Sequence, residues 1–228
     1  MDRFQYRFSG NMSETIASRK REACVRSHIE RQVNRVFAFA ICMTAFFASP
    51  RAGCAQVPIY EVTPEESSIK FGVDSSVSIK GNFEKWNASI KFSSRDVRTA
   101  VLDIEIEAGS VNTGSHMKDN KLKGKDFFNV KESPTITFKS TKIVQTGPYT
   151  FDIEGNFTIR GVTKTEKLTL TSDGKGTPSG RLDGIMAFDR KDYGMTSGIP
   201  FIKIANRVEV NVHLKWRRVS GPPPEFQQ

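Results

Sequence analysis

The chain has 228 residues and a net charge of +9, from 34 Lys and Arg against 25 Asp and Glu. Over half of that excess lies in residues 1–55, with nine basic and four acidic side chains (+5); residues 56–228 carry twenty-five and twenty-one (+4). The main body is therefore mildly basic with its signs interspersed, which argues against a dedicated nucleic-acid binder, whose cations cluster on one face.

Residues 1–55 read as a leader ending in a secretory signal. Residues 1–30 are polar and are set aside from fold reasoning, the true start codon staying open. Arg31 and Arg35 flank the thirteen-residue apolar run VFAFAICMTAFFA, Val36 to Ala48. A membrane span needs about 20 residues, so this run is too short to cross and suits a signal core. Small residues at Gly53 to Ala55 mark a cleavage site before Gln56; lipidation at Cys54 is the alternative. Cys24, Cys42 and Cys54 all precede that cut. A mature chain would have no disulfide, thiol nucleophile or thiolate ligand, which fits an exported, periplasmic protein.

Period-2 alternation dominates the chain beyond the leader. Short matches are Ile69/Phe71/Val73, Val77/Ile79/Phe83 and Ala88/Ile90/Phe92. AVLDIEIEA then puts Ala100, Leu102, Ile104, Ile106 and Ala108 on one face, with Asp103, Glu105 and Glu107 on the other. A helical excursion is expected over Ser115–Asn129, followed by Ile136/Phe138. YTFDIEGNFTI aligns Tyr149, Phe151, Ile153, Gly155, Phe157 and Ile159; Leu168/Leu170 and Leu182/Met186/Phe188 come next. Last, VEVNVHLKW groups Val208, Val210, Val212, Leu214 and Trp216. One apolar and one polar face per strand marks antiparallel sheet wetted on one side. Turn chemistry at residues 146–148, 160–162 and 172–180 separates the runs. The expected fold is all-β, an antiparallel up-and-down barrel of about eight strands with one short helical excursion. It forms one domain over residues 56–218, and residues 219–228 (VSGPPPEFQQ) read as a disordered tail.

A barrel of about eight strands either fills with side chains or encloses one small ligand. Gly72, Gly81, Ala88, Gly155 and Gly184 lie on or near the inward faces among many Phe. Such a mixture leaves either an elongated apolar slot or a packed core, and composition alone does not choose.

Catalytic chemistry finds little support. His116 and His213 are the histidines after the leader, and neither has a second His at ligand spacing, so a metal site is not expected. His116 with Ser115 and Asp119 invites a triad reading, but no nucleophile elbow accompanies it. Asp189, Arg190, Lys191 and Asp192 form a charged knot that suits turn stabilisation better than acid–base work. Two glycosylation sequons, NAS at Asn87 and NFT at Asn156, lie in or beside expected strands.

Four stretches together carry a family signal: FGVDSSVSIKGNFEKW, AGSVNTGSHMKDNKLKGKDFFNVKESPTITFKS, YTFDIEGNFTIRGVTK and FDRKDYGM. Across Tyr60 to Trp216 the chain resembles the YceI-like family of periplasmic or secreted proteins. The resemblance implies an extended lipocalin-like barrel holding a polyisoprenoid lipid, such as a ubiquinone-like or prenyl-phosphate molecule. It implies a binding protein, not an enzyme, with no required cofactor. Asp74 and Lys118-Asp119 depart from the family pattern where a His and an Arg-Asp are usual, which bears on head-group preference.

Parity and resemblance together nominate a ligand-lining set: Phe71, Val73, Phe83, Phe92, Leu102, Ile104, Ile106, Phe127, Phe128, Phe138, Phe157, Met186 and Phe188. Arg190 and Tyr193 are nominated at the mouth, for a polar head group, with loop stabilisation as their alternative role. Lys118, Lys121, Lys123 and Lys125 face water, either as a transient membrane contact or as a solvated surface. An enzyme acting on a lipid or quinone, a filled-core stress-response module and a homodimer stay open.

Overall fold

The computed structural model describes residues 56–75, 79–174, 176–198 and 204–226. The leader, its apolar run, the three cysteines and Val77 lie outside these residues. Ten strands are seen among them: β1 (Ile59–Ser75), β2 (Ile79–Phe83), β3 (Trp86–Phe92), β4 (Ala100–Glu107), β5 (Val111–Asn112), β6 (Thr135–Gln145), β7 (Thr150–Ile159), β8 (Val162–Ser172), β9 (Ser179–Asp189) and β10 (Ile204–Ser220). They form one sheet, in the order β3-β4-β6-β7-β8-β9-β10-β1-β2-β5, and every pairing is antiparallel.

The count is ten where about eight were expected, because two long runs are bent. β2 and β3 are interrupted only at Glu84 and Lys85, and β4 and β5 only by a 3₁₀ turn over Ala108–Ser110. The two bends face each other. Glu84 N–H donates to the Ser110 carbonyl at 3.1 Å, Lys85 N–H to Ser110 Oγ at 3.0 Å, and Glu107 N–H to the Lys85 carbonyl at 3.0 Å. The two end strands of the sheet, β3 and β5, thus meet at one bent corner, and the sheet curls into a barrel-like enclosure. Tyr60 of β1 closes against Phe92 of β3, ring centres 5.4 Å apart.

The alternation is realised almost residue for residue. Ala100, Leu102, Ile104, Ile106 and Ala108 are buried, as are Phe151, Ile153, Phe157 and Ile159. Tyr149, grouped with that second set, is exposed instead. It belongs to the turn before β7, where strand parity does not reach. The β7–β8 hairpin at residues 160–162 turns through Arg160 (φ 56°) and Gly161 (φ 75°), the left-handed pair that tight hairpins favour.

Among the described residues one α-helix, α1 (His116–Lys123), is shorter than the expected Ser115–Asn129. It stops where the Gly124 N–H bonds the Lys121 carbonyl at 3.1 Å, and turns carry the chain on to Phe128. The tail corrects another expectation. Far from being disordered, residues 221–226 fold back across the sheet's end. Glu225 exchanges backbone hydrogen bonds with Arg95 (2.7 Å) and Val97 (3.1 Å), and its carboxylate meets Arg95 at 3.1 Å. Phe226 packs on the core, 6.1 Å from the Phe151 ring.

Candidate functional site

The inward residues fall into three layers along the strands. At one end Tyr60, Ile90, Phe92, Leu102, Ile143, Phe151, Ile153, Leu170, Leu182 and Trp216 surround an apolar cavity of about 90 Å³. Pro224 and Phe226 of the returning tail complete its wall. At the other end Phe71, Val73, Ile79, Phe83, Ile106, Ile136, Phe157, Phe188, Val208 and Val210 surround a second cavity of about 70 Å³. Leu122, Phe127 and Phe128 cap this end from α1 and the turns beyond it.

Between them lies a packed waist of Ile69, Ile104, Phe138, Leu168, Met186, Val212 and Leu214, all buried. The inward glycines do not open a slot here. A Cβ on Gly155 would lie 2.5 Å from Phe138 Cζ, and one on Gly184 2.5 Å from a Leu170 methyl. At Gly81 the same test meets the Phe71 ring at 2.8 Å. These glycines make room for neighbouring rings and methyls. One continuous slot was half of the expectation and a packed core the other half; among the described residues the inner face has an apolar cavity at each end and a packed middle.

The nominated lining residues divide accordingly. Phe92 and Leu102 border the first cavity; Phe71, Val73, Phe83, Ile106, Phe127, Phe128, Phe157 and Phe188 border the second. Ile104, Phe138 and Met186 border neither and belong to the waist. Asp74, one of the departures from the family pattern, is exposed on the outer parity.

Arg190 and Tyr193 are not mouth residues. They sit in a 3₁₀ turn, Arg190–Tyr193, and both are buried. Arg190 donates to the carbonyls of Ala205 (3.1 Å), Ser197 (3.0 Å) and Met195, so its guanidinium clamps the loop, and the residue borders the second cavity. The Tyr193 hydroxyl donates to Glu166 Oε1 at 2.6 Å, and burial with that carboxylate pushes the phenol far above its ordinary value. Its ring stands edge-on to Phe157 and Phe188 at 5.5 and 5.2 Å. The alternative role, loop stabilisation, is the one that the geometry shows. It works by carbonyl clamping, by Asp189 accepting the Lys191 N–H at 2.8 Å and by the Asp192–Lys164 ion pair at 3.2 Å.

The α1 region divides its residues by polarity. Phe128 closes an aromatic group with Phe71 (6.2 Å) and Phe83 (5.8 Å). Lys121 pairs with Asp126 at 3.0 Å and lies 5.8 Å above the Phe127 ring. Asp119 is buried, and its carboxylate accepts from Thr113 N–H (2.8 Å) and Oγ1 (2.7 Å). Those bonds hold its carboxyl below the usual range, with the Lys123 and His116 charges adding to the effect. It is a structural lock, committed to Thr113. His213 lies on the outer face beside Asp183. Among the described residues no group of three or more His, Cys, Asp or Glu converges on a metal position.

Sequence reasoning left Tyr60, Ile143, Phe151, Ile153, Leu170, Trp216 and Phe226 out of the lining. Parity already pointed Phe151, Ile153, Leu170 and Trp216 inward. Phe226 carried no local signal, because a Pro-rich end reads as disordered whatever it docks on.

Comparisons with known proteins agree with this geometry. Residues 60–216 match the YceI-like domain. A curated relative, a UPF0312 protein of Azotobacter vinelandii, is 32% identical over 96 residues, covering 42% of this chain and 50% of that one. The chain spans about half the length of this relative, 50% of it. Burkholderia cenocepacia BcnA superposes with a TM-score of 0.62 at 24% identity, covering 68% of this chain and 99% of BcnA. A polyisoprenoid binding domain from Saccharophagus degradans, implicated in plant cell wall breakdown, superposes with a TM-score of 0.56 at 15% identity. That match covers 71% of this chain and 99% of the neighbour. At these identities the two structures speak for the fold.

Proposed function

The chain belongs to the YceI-like family, and on that premise we propose that it binds a polyisoprenoid lipid in its apolar interior, without converting it, for carriage or storage in the periplasm. The observation that carries this reading is the character of the two cavities. Their walls are almost wholly aliphatic and aromatic, and the one charged residue among them, Arg190, has its guanidinium engaged elsewhere. Such walls discriminate by hydrocarbon fit and offer no group for bond making or breaking. The Saccharophagus degradans neighbour, a polyisoprenoid binding domain, supports the ligand class.

Magnitudes suit a carrier. Each buried CH₂ is worth about 0.8 kcal/mol against water, so one isoprene unit gives roughly 4 kcal/mol gross. A lipid drawn from a bilayer is already hidden from water, so the net preference for the protein is far smaller. Small net preference is what exchange between membranes requires. An apolar cavity of about 150 Å³ accepts a benzene-sized guest. At about 90 and 70 Å³ each cavity here is smaller than that, so each takes at most a short hydrocarbon stretch, and a longer tail passes only if waist side chains rotate. Transient docking on anionic membrane would run through α1, where Met117 is 84% exposed beside Lys118.

The packed waist favours one competing reading, a filled-core module with no ligand. Mass spectrometry of an organic extract from the purified exported protein separates the two. The lipid-binding reading predicts a prenyl lipid in near equimolar amount. No lipid recovered, together with no uptake of added prenyl lipid, leaves the filled core; turnover of a bound lipid would make the protein an enzyme.

A further inference from the structure

β10 does not end its alternation at Trp216. Leu214, Trp216 and Arg218 share the inner parity, which places a cation at the end of an apolar row. In the β1–β10 ladder Arg218 stands opposite Tyr60, and Tyr60 borders the first cavity, edge-on to Trp216 at 5.1 Å. Arg218 Nη1 is buried and has no hydrogen-bond partner. The preceding residue differs. Arg217, on the outer parity, has its guanidinium bound to Glu61 at 2.5 and 3.0 Å. Among the described residues no carboxylate pairs with Arg218. Burial raises the Tyr60 phenol above its ordinary value and the nearby Arg218 charge pulls it back.

We propose that Arg218 and Tyr60 form the head-group site of this lipid-binding protein, taking an oxyanion, phosphate or carboxylate, at the outer end of the first cavity. A buried guanidinium N–H without an acceptor is costly, and a ligand oxyanion supplies the acceptor with charge assistance. The phenol adds a second donor beside it. The tail then runs inward, since the rest of that wall is apolar apart from Ser172 and the glycines of the 172–180 loop. At the second cavity the lining arginine, Arg190, has its guanidinium engaged by carbonyls. The ligand therefore has a direction, head beside the C-terminal strap and tail toward the waist.

This inference rests on the lipid-binding reading, and one experiment separates their failures. Farnesyl phosphate and farnesol share a tail and differ in the oxyanion. Equilibrium binding of each is measured on the mature wild-type protein, with Arg218→Met, Arg218→Lys and Tyr60→Phe alongside and thermal melts as fold controls. Wild type is expected to bind farnesyl phosphate at least about tenfold tighter than farnesol. Arg218→Met removes that preference, and Arg218→Lys keeps part of it. Equal affinity for the two in wild type overturns the head-group site and leaves the apolar cavity standing. A preference that survives in a folded Arg218→Met protein also overturns it. If neither compound binds, the lipid-binding reading itself fails.

Discussion

Phe138 and Gly155 set the calibre of the interior. They sit on paired strands, and the Phe138 ring occupies the volume that a side chain at 155 would need. Gly155→Ala is predicted to destabilise the fold by about 1–3 kcal/mol through overpacking, seen as a lower urea midpoint at unchanged slope. Phe138→Ala is predicted to cost about 3–5 kcal/mol and to join the two cavities. Uptake of the longest prenols should improve in that variant relative to short ones, if it remains folded. Asp119 gives a pH prediction. Its folded pKa lies below the ordinary carboxylate value of about 3.9, so its contribution is complete above that value and is lost as pH falls through the folded pKa. Asp119→Asn keeps an acceptor for Thr113 and removes the charge. The stability gap between wild type and Asp119→Asn should be widest near neutrality and narrow as pH falls below about 4. The other depressed carboxyls titrate in both proteins and cancel in the difference.

Elements differ in how far sequence foretells them. The central strands were legible because burial on one face enforces period 2, as in Leu102/Ile104/Ile106 and Val208/Val212/Leu214. The bend that divides β4 from β5 was not, since Ser110 reveals its role only when Lys85 arrives beside it from 25 residues away. α1 was legible as a place and not as a length, because Gly124 ends it before the two phenylalanines. The C-terminal strap was read as disordered; its order comes from Arg95 and Val97, far away in sequence. Phe226 covers the first cavity, so deletion of residues 222–228 is predicted to speed both entry and exit of a prenyl probe several-fold with little change in affinity. Stopped-flow rates check this; identical rates in the two proteins would remove the strap from the exchange path. Arg95→Ala should move rates the same way by a smaller factor, since an exposed ion pair contributes only about 0–1 kcal/mol.

At the scale of the whole molecule the question is whether a curled sheet with an apolar inner face holds hydrocarbon or merely packs upon itself. Fold class was readable because nine apolar runs with turn punctuation admit few alternatives. The cavity was not, because sequence shows which residues point inward and not how their volumes sum. Gly155 and Gly184 illustrate the gap, reading as space and serving as seats for Phe138 and Leu170. The site's polar end was hidden for a related reason. Arg218 is one of two adjacent arginines, and only the ladder shows that its neighbour is paired outward while it is not. The most direct measurement is a calorimetric titration of the protein with geraniol, farnesol and geranylgeraniol. Measurable binding, climbing with length as far as the waist side chains rotate to admit the tail, is the predicted result. Absence of binding at every length would contradict a hydrocarbon-holding interior.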